Sequence, residues 1–167
     1  HIGYWVIHDT GSIDDTPTLI QAFMDCHEVP GELHHRAWEN FGANRTYAIQ
    51  DAIGKGTHIL LMDADFVLSV RDANFKAALD PLKSYLLLYE GGLHYRNLKI
   101  ARGDLDWRWI GVTHEYLAEA RADPTAPPHE NLDTVSIEHL CNGSSRAGKF
   151  ERGIALLRKG LEAEPIN

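Results

Sequence analysis

The stretch Trp5-Val6-Ile7-His8-Asp9-Thr10-Gly11-Ser12-Ile13-Asp14-Asp15-Thr16-Pro17 reads as a short apolar strand, a polar loop and the start of a helix. Thr16 is placed to cap that helix with Pro17 in its first turn, and Leu19, Ile20, Phe23 and Met24 recur at helical spacing until Pro30-Gly31. The pattern then repeats. Leu33 to Trp38 reads as a second strand, and Ala43 to Ile53 as a helix with Ala48, Ile49, Ala52 and Ile53 on one face and Gly54 as its stop. His58-Ile59-Leu60-Leu61-Met62 follows as a continuous apolar run bounded by Gly56 and by Asp63-Ala64-Asp65. Such runs suit strands covered on both faces, as parallel strands are. The expectation is an open α/β sheet with functional loops at the carboxyl ends of its strands.

The second half has a different pattern. Tyr85 to Tyr95, Leu98 to Arg102 and Trp109 to Leu117 read as strands with Gly91-Gly92 and Gly103-Asp104 between them, which points to a more antiparallel or mixed region. Asp123 to Pro128 holds three of the seven prolines and reads as an exposed loop. A last strand is expected near Val135 to Leu140. Phe150, Ile154, Leu157 and Leu161 then mark an amphipathic helix from Lys149 to about Ala163, whose apolar stripe needs a partner.

With 167 residues, 16 Lys and Arg against 24 Asp and Glu, and a net charge of -8, the chain has one domain's length and an acidic balance. That balance argues against nucleic acid and anionic membrane as partners. The longest apolar runs, Ile59 to Met62 and Tyr85 to Tyr89, fall far short of the ~20 residues of a membrane span. Cys26 and Cys141 are too few and too far apart for a disulfide framework or a thiolate metal site and read as buried free thiols, which fit a reducing cytoplasm. The chain opens on His1 and runs almost at once into Tyr4, Trp5, Val6 and Ile7, which reads as a piece of a longer chain.

Two acidic loops follow expected parallel strands: Asp9 with Asp14 and Asp15, and Asp63 with Asp65. Two carboxylates one residue apart after a buried strand can hold a hard ion such as Mg2+ or Mn2+ and leave positions for water and a diphosphate. The same triplet also occurs in ordinary turns, and helix capping accounts for Asp14 and Asp15 without any ligand. Gly111-Val112-Thr113-His114-Glu115-Tyr116 places an imidazole beside a carboxylate, a pairing suited to metal ligation or proton transfer. Neighbouring residues of a straight strand face opposite ways, so a joint role needs a bend there. Trp107 and Trp109 suit either a stacking wall or core packing, and Arg45, Arg96, Lys99 and Arg102 are either phosphate partners or surface charges.

Taken together, Trp5 to Thr16, Pro30-Gly31-Glu32-Leu33, Trp38-Glu39-Asn40-Phe41-Gly42-Ala43-Asn44-Arg45-Thr46, Leu60 to Asp65 and Gly111 to Leu117 resemble family 2-type glycosyltransferases. The resemblance is to bacterial members that carry tetratricopeptide-like helical repeats after the catalytic domain. It extends through Gly143-Ser144-Ser145-Arg146-Ala147 and the helix from Lys149, dividing the chain into a partial catalytic domain, 1–145, and a helix, 146–167, leading toward the repeats. The resemblance implies a three-layer α/β/α GT-A fold with a mixed, mainly parallel sheet. It also implies a nucleotide-sugar donor, commonly a UDP-sugar, an acceptor such as a protein, peptide or glycan, and Mn2+ or Mg2+. By the same resemblance Asp9 contacts the nucleoside, with Ser12 and Asp14 shaping its loop. Asp63 lies near the ribose, Asp65 binds the ion, Arg45 orders the phosphates, His114 is a second metal ligand and Glu115 is the base for the acceptor.

The sequence departs from the family where Asp15 stands in place of a common glycine and Phe66 in place of a third acidic residue. Relatives also carry a strand and helix before the stretch that opens this chain, which predicts an exposed apolar sheet position and weakened donor binding here. Leu60 to Val67 also fits the apolar strand and Asp-x-Asp-x-Val of haloacid-dehalogenase-like phosphatases, where Asp63 would be the nucleophile and Asp65 the acid and base. A non-catalytic interaction module acting through the C-terminal helix is the third reading.

Overall fold

The computed structural model describes residues 2–90, 94–120, 129–140 and 149–163. In chain order the first half holds β1 (Trp5–Asp9), α1 (Thr16–Cys26), β2 (Gly31–His35), α2 (Phe41–Ala52), β3 (His58–Leu60) and β4 (Phe66–Val70). A single turn of 3-10 helix, Phe75–Ala78, leads to β5 (Tyr85–Glu90), β6 (Tyr95–Arg102), β7 (Trp107–Ile110), β8 (Tyr116–Glu119), β9 (Glu130–His139) and α3 (Lys149–Ala163). These elements fall into two compact units. One comprises His1–Gly56, Leu105–Arg121 and Phe150–Asn167, and the other Thr57–Asp104 and Ala122–Lys149.

In the first unit β1 and β2 run parallel, from Trp5 opposite Gly31 to Asp9 opposite His35. Trp5 is buried and its indole Nε1 donates to the Val29 carbonyl at 2.8 Å. A Cβ on Gly31 would lie 2.4 Å from the Trp5 ring, so the glycine leaves the space that the indole fills. Helix α1 packs on β2, and α2 packs on β1 and on β7 of the antiparallel hairpin β7–β8. Helix α2 is started by Asn40, whose side-chain Oδ1 accepts from the Ala43 amide at 2.8 Å. Gly42, in its first turn, allows the helix to approach the Gly111 carbonyl so closely that a Cβ would stand 2.1 Å from that oxygen.

The second unit is a curled, mostly antiparallel five-stranded sheet in the order β3-β6-β5-β9-β4. Its core gathers Phe75, Tyr85, Leu87, Tyr89, Ile100, Leu132, Val135 and Ile137, with Leu60, Phe66, Leu68, Val70 and Leu79 against it. Alternation explains the selection: Tyr85, Leu87 and Tyr89 point to one face of β5 and are buried, while Leu86 and Leu88 are half-buried on the other.

The expected mainly parallel sheet is corrected here. Among the described residues, strands pair in parallel at β1–β2 and at β5–β9, and the other four pairings are antiparallel. The run from His58 to Met62, taken for a doubly covered parallel strand, is strand only to Leu60. It lies at the sheet edge, antiparallel to β6. An apolar run records burial, whereas strand direction is set by connections, and β5 and β6 follow one another too closely for a parallel crossover.

Smaller differences are local, and Cys26, expected to be buried, is exposed on the last turn of α1. Asp15, not Thr16, occupies the cap position of α1, and Asp14 accepts the Thr16 amide at 3.1 Å. The expected strand Trp109 to Leu117 is two strands with a bend between them, and β4 was not anticipated. The expected turn at Gly91-Gly92, the proline-rich loop, Cys141 and Gly143 to Ala147 lie outside the described residues. No helix among the described residues is long and apolar enough to cross a membrane.

Candidate functional site

Parallel pairing puts His8 beside His34 and Asp9 beside His35 at the carboxyl ends of β1 and β2. Because neighbouring residues of a strand face opposite ways, the pair carries one imidazole and carboxylate group on each face. On the face covered by α2, His8 Nε2 lies 3.0 Å from Asp51 Oδ2, and His34 Nδ1 lies 4.0 Å from the same oxygen. The two imidazole rings are 4.9 Å apart. His8 is almost fully enclosed, with 4% of its side chain exposed, whereas His34 and Asp51 each keep 34%.

Despite its closeness to Asp51, neither His8 ring nitrogen has an aligned hydrogen bond among the described residues, and the Asp51 Oδ2 atom is also without one. His8 Nε2 and Asp51 Oδ2 still face each other as an ion pair at 3.0 Å. Burial pushes the His8 imidazole below its ordinary pKa; Asp51 opposes that shift, and His34 and Arg36 reinforce it. His34 is oriented from behind. Its Nε2 lies 3.0 Å from Glu32 Oε2, and since a carboxylate only accepts, Nε2 carries the proton and Nδ1 of the neutral ring keeps its lone pair. Glu32 also accepts from the Tyr4 hydroxyl at 2.5 Å and pairs with Lys55. Lys55 first, then Tyr4 and His34, hold the Glu32 carboxyl at a pKa of about 2.

On the opposite face Asp9 organises the loop that follows β1. Its carboxylate accepts from the Ser12 amide at 3.1 Å and from the Ser12 hydroxyl, and its Oδ2 lies 3.4 Å from His35 Nδ1. The Ser12 hydroxyl holds the Asp9 carboxyl below the usual range, against partial burial. Asp14 is held low in the same way by Thr16 at the helix entrance. Asp9, Ser12 and Asp14 therefore form one preorganised anionic turn.

Arg45, on α2, meets Glu115 with Nε 3.2 Å from Oε1, and its guanidinium lies 5.1 Å from the centre of the Trp109 ring. Asn44 fixes the approach to this pair by donating to the Ala37 carbonyl at 3.1 Å and accepting from the Glu39 amide at 2.9 Å. Thr46 bridges to β7, accepting from the Trp109 amide at 2.9 Å. Glu115 and His114 lie in the bend after β7, where His114 is exposed and has a left-handed φ of 54°. The bend that a joint role of these residues requires is thus present.

In the second unit Asp63, Ala64 and Asp65 form a tight turn between β3 and β4, closed by the Phe66 amide donating to the Asp63 carbonyl at 3.1 Å. Asp65 Oδ2 lies 3.0 Å from His139 Nε2. The His139 ring meets Phe66 edge-on at 5.0 Å, because β4 and β9 place Phe66 opposite His139.

No family model matches the chain, and no curated protein matches it either.

The remaining basic and aromatic candidates resolve individually. Trp107 is core, and Trp109 is the platform under Arg45. Lys99 is not a surface charge: it is buried, with its ammonium 4.7 Å from the centre of the Phe66 ring. Arg96 pairs with Asp133, and Arg102 grips Asp104 through Nε at 3.0 Å and Nη2 at 2.7 Å. Sequence reasoning missed His8, His34, Asp51 and His139. A signal for the first two was present, since both strands of the opening pair carry histidine at their carboxyl ends.

Proposed function

We propose that the chain is a glycosyltransferase of GT-A type, moving a sugar from a nucleotide-sugar of the UDP class to an acceptor hydroxyl or thiol. The observation that carries the reading is the Asp9 turn. A parallel strand delivers a carboxylate at its carboxyl end, where open α/β proteins bind ligands, and Ser12 orients that carboxylate while leaving acceptor lone pairs for a ribose hydroxyl or a base N–H.

In this reading Asp9 takes the nucleoside, with Ser12 and Asp14 holding its loop, and Asp63 serves the ribose. Asp65 holds a divalent ion. The donor set at Asp65 fits Mn2+, since a carboxylate and the His139 imidazole stand 3.0 Å apart. Such an ion, when bound, neutralises the charge that grows on a departing diphosphate. Glu115 is the base, and Arg45, which pairs with it, serves the donor's phosphates. The stripe of Phe150, Ile154, Leu157 and Leu161 is exposed, which supports packing of α3 against further helices, as in the repeat-bearing members.

The test is calorimetric titration of UDP into the chain with and without Mn2+. Tighter binding with Mn2+, a difference erased by Asp65→Ala, and weaker binding in Asp9→Asn under both conditions are expected. Equal affinity with and without the ion sinks the metal-dependent reading, and an Asp9→Asn variant that binds UDP like the parent removes the nucleoside assignment.

A further inference from the structure

We propose that His8, His34 and Asp51 form a binding site for a borderline divalent transition metal ion, represented by Zn2+, that ties β1, β2 and α2 together. One ligand atom from each residue lies within 4.8 Å of the other two. Bonds of about 2.0–2.2 Å place the ligands of a tetrahedral zinc ion roughly 3.3–3.6 Å apart. The separations of 3.0 Å and 4.0 Å from Asp51 Oδ2 bracket that value, and the third separation, between the two imidazoles, is within 4.8 Å.

Three features distinguish this group from an ordinary cluster of histidines. His8 is enclosed, yet both its ring nitrogens and the facing carboxylate oxygen lack aligned hydrogen bonds among the described residues, which is how donors aimed at a shared ion stand. The Glu32 carboxylate fixes the His34 tautomer that leaves Nδ1 as the donor, the supporting arrangement common behind metal-bound histidine. The charge is also placed for a cation, because Asp51 pairs with His8 and His34 and with no Lys or Arg among the described residues, while Lys55 neutralises Glu32.

Two imidazoles and one carboxylate select zinc-like ions over Mg2+ or Ca2+. Three protein ligands leave a fourth position for water, reached from the exposed side of His34 and Asp51. The site does not rest on the glycosyltransferase reading, which assigns a different ion to Asp65. Because its ligands come from β1, β2 and α2, which are far apart in the chain, metal binding here adds directly to folding.

The experiment titrates Zn2+ alone into the full chain by calorimetry, with Co2+ absorption as a second probe of tetrahedral coordination. One equivalent is expected to bind in an Asp51-dependent step and to raise the unfolding midpoint by about 5 °C or more. Asp51→Asn, close in shape to the parent, should weaken binding by at least about 100-fold and abolish the thermal shift, as should His8→Ala. Glu32→Gln should weaken binding about 10–100-fold. Asp65→Ala and His139→Ala should leave the Asp51-dependent binding event and its thermal shift in place. The proposal is overturned if Zn2+ does not bind, if Asp51→Asn binds within about threefold of the parent, or if Asp65→Ala rather than Asp51→Asn removes the site.

Discussion

In the second unit eight large side chains close on one another across the sheet, whereas the described residues of the first unit bury three, Trp5, Ile49 and Trp107. The apolar residues of α1 and α3 do not make up the difference: Phe23 is 59% exposed and Phe150 is 83% exposed. The second unit draws its stability from area removed from water, and the first from close backbone approach, capping and paired polar groups. This difference predicts where substitutions hurt. Leu87→Ala, at a side chain with no exposed surface, should cost about 2–5 kcal/mol. Phe23→Ala should stay within about 0.5 kcal/mol of the parent. Urea unfolding of both variants measures the contrast, and equal losses would remove it.

Close approach is the first unit's counterpart to a core, and Gly42 tests it. A methyl group there would sit 2.1 Å from the Gly111 carbonyl oxygen, and a backbone atom cannot rotate away as a side chain can. Gly42→Ala should therefore cost about 1–3 kcal/mol, as overpacking does. It should also displace the bend that carries Glu115, so that a Glu115 to Arg45 contact followed by NMR is lost together with stability. A variant as stable as the parent would show that α2 can be moved off β7 without penalty.

Local features were legible from the sequence. The helical spacing of Leu19, Ile20, Phe23 and Met24 gives α1, and Phe150 to Leu161 gives α3, because amphipathic period is written within one segment. The Asp9 turn was legible for the same reason: Asp9, Ser12 and Asp14 are near neighbours, and their hydrogen bonds are short-range. What the sequence hid depends on pairing across distance. The stretch Leu60 to Asp65 gave no sign that its strand would lie antiparallel to β6, and His8 met His34 and Asp51 only once β1, β2 and α2 were placed. His139 was hidden likewise, since nothing near it in sequence points to Asp65.

The smallest expected effect concerns pH, and it separates the units by their charge. Glu32 has a folded pKa of about 2 against an ordinary value of 4.5, and the groups facing it are Lys55, Tyr4 and His34. A depressed carboxyl pKa contributes stability that is fully present above 4.5 and is lost as pH falls toward 2. The difference in unfolding midpoint between the parent and Glu32→Gln, measured in chelator, should therefore narrow between pH 4.5 and 3. Asp104, held below the usual range by Arg102 in the second unit, should show the same sign. Its carboxylate is 64% exposed and engaged by one side chain, so solvent screening should leave Asp104→Asn a smaller and flatter difference than Glu32→Gln. A Glu32→Gln gap that widens on acidification would reverse the sign and remove Glu32 as the anionic post behind His34.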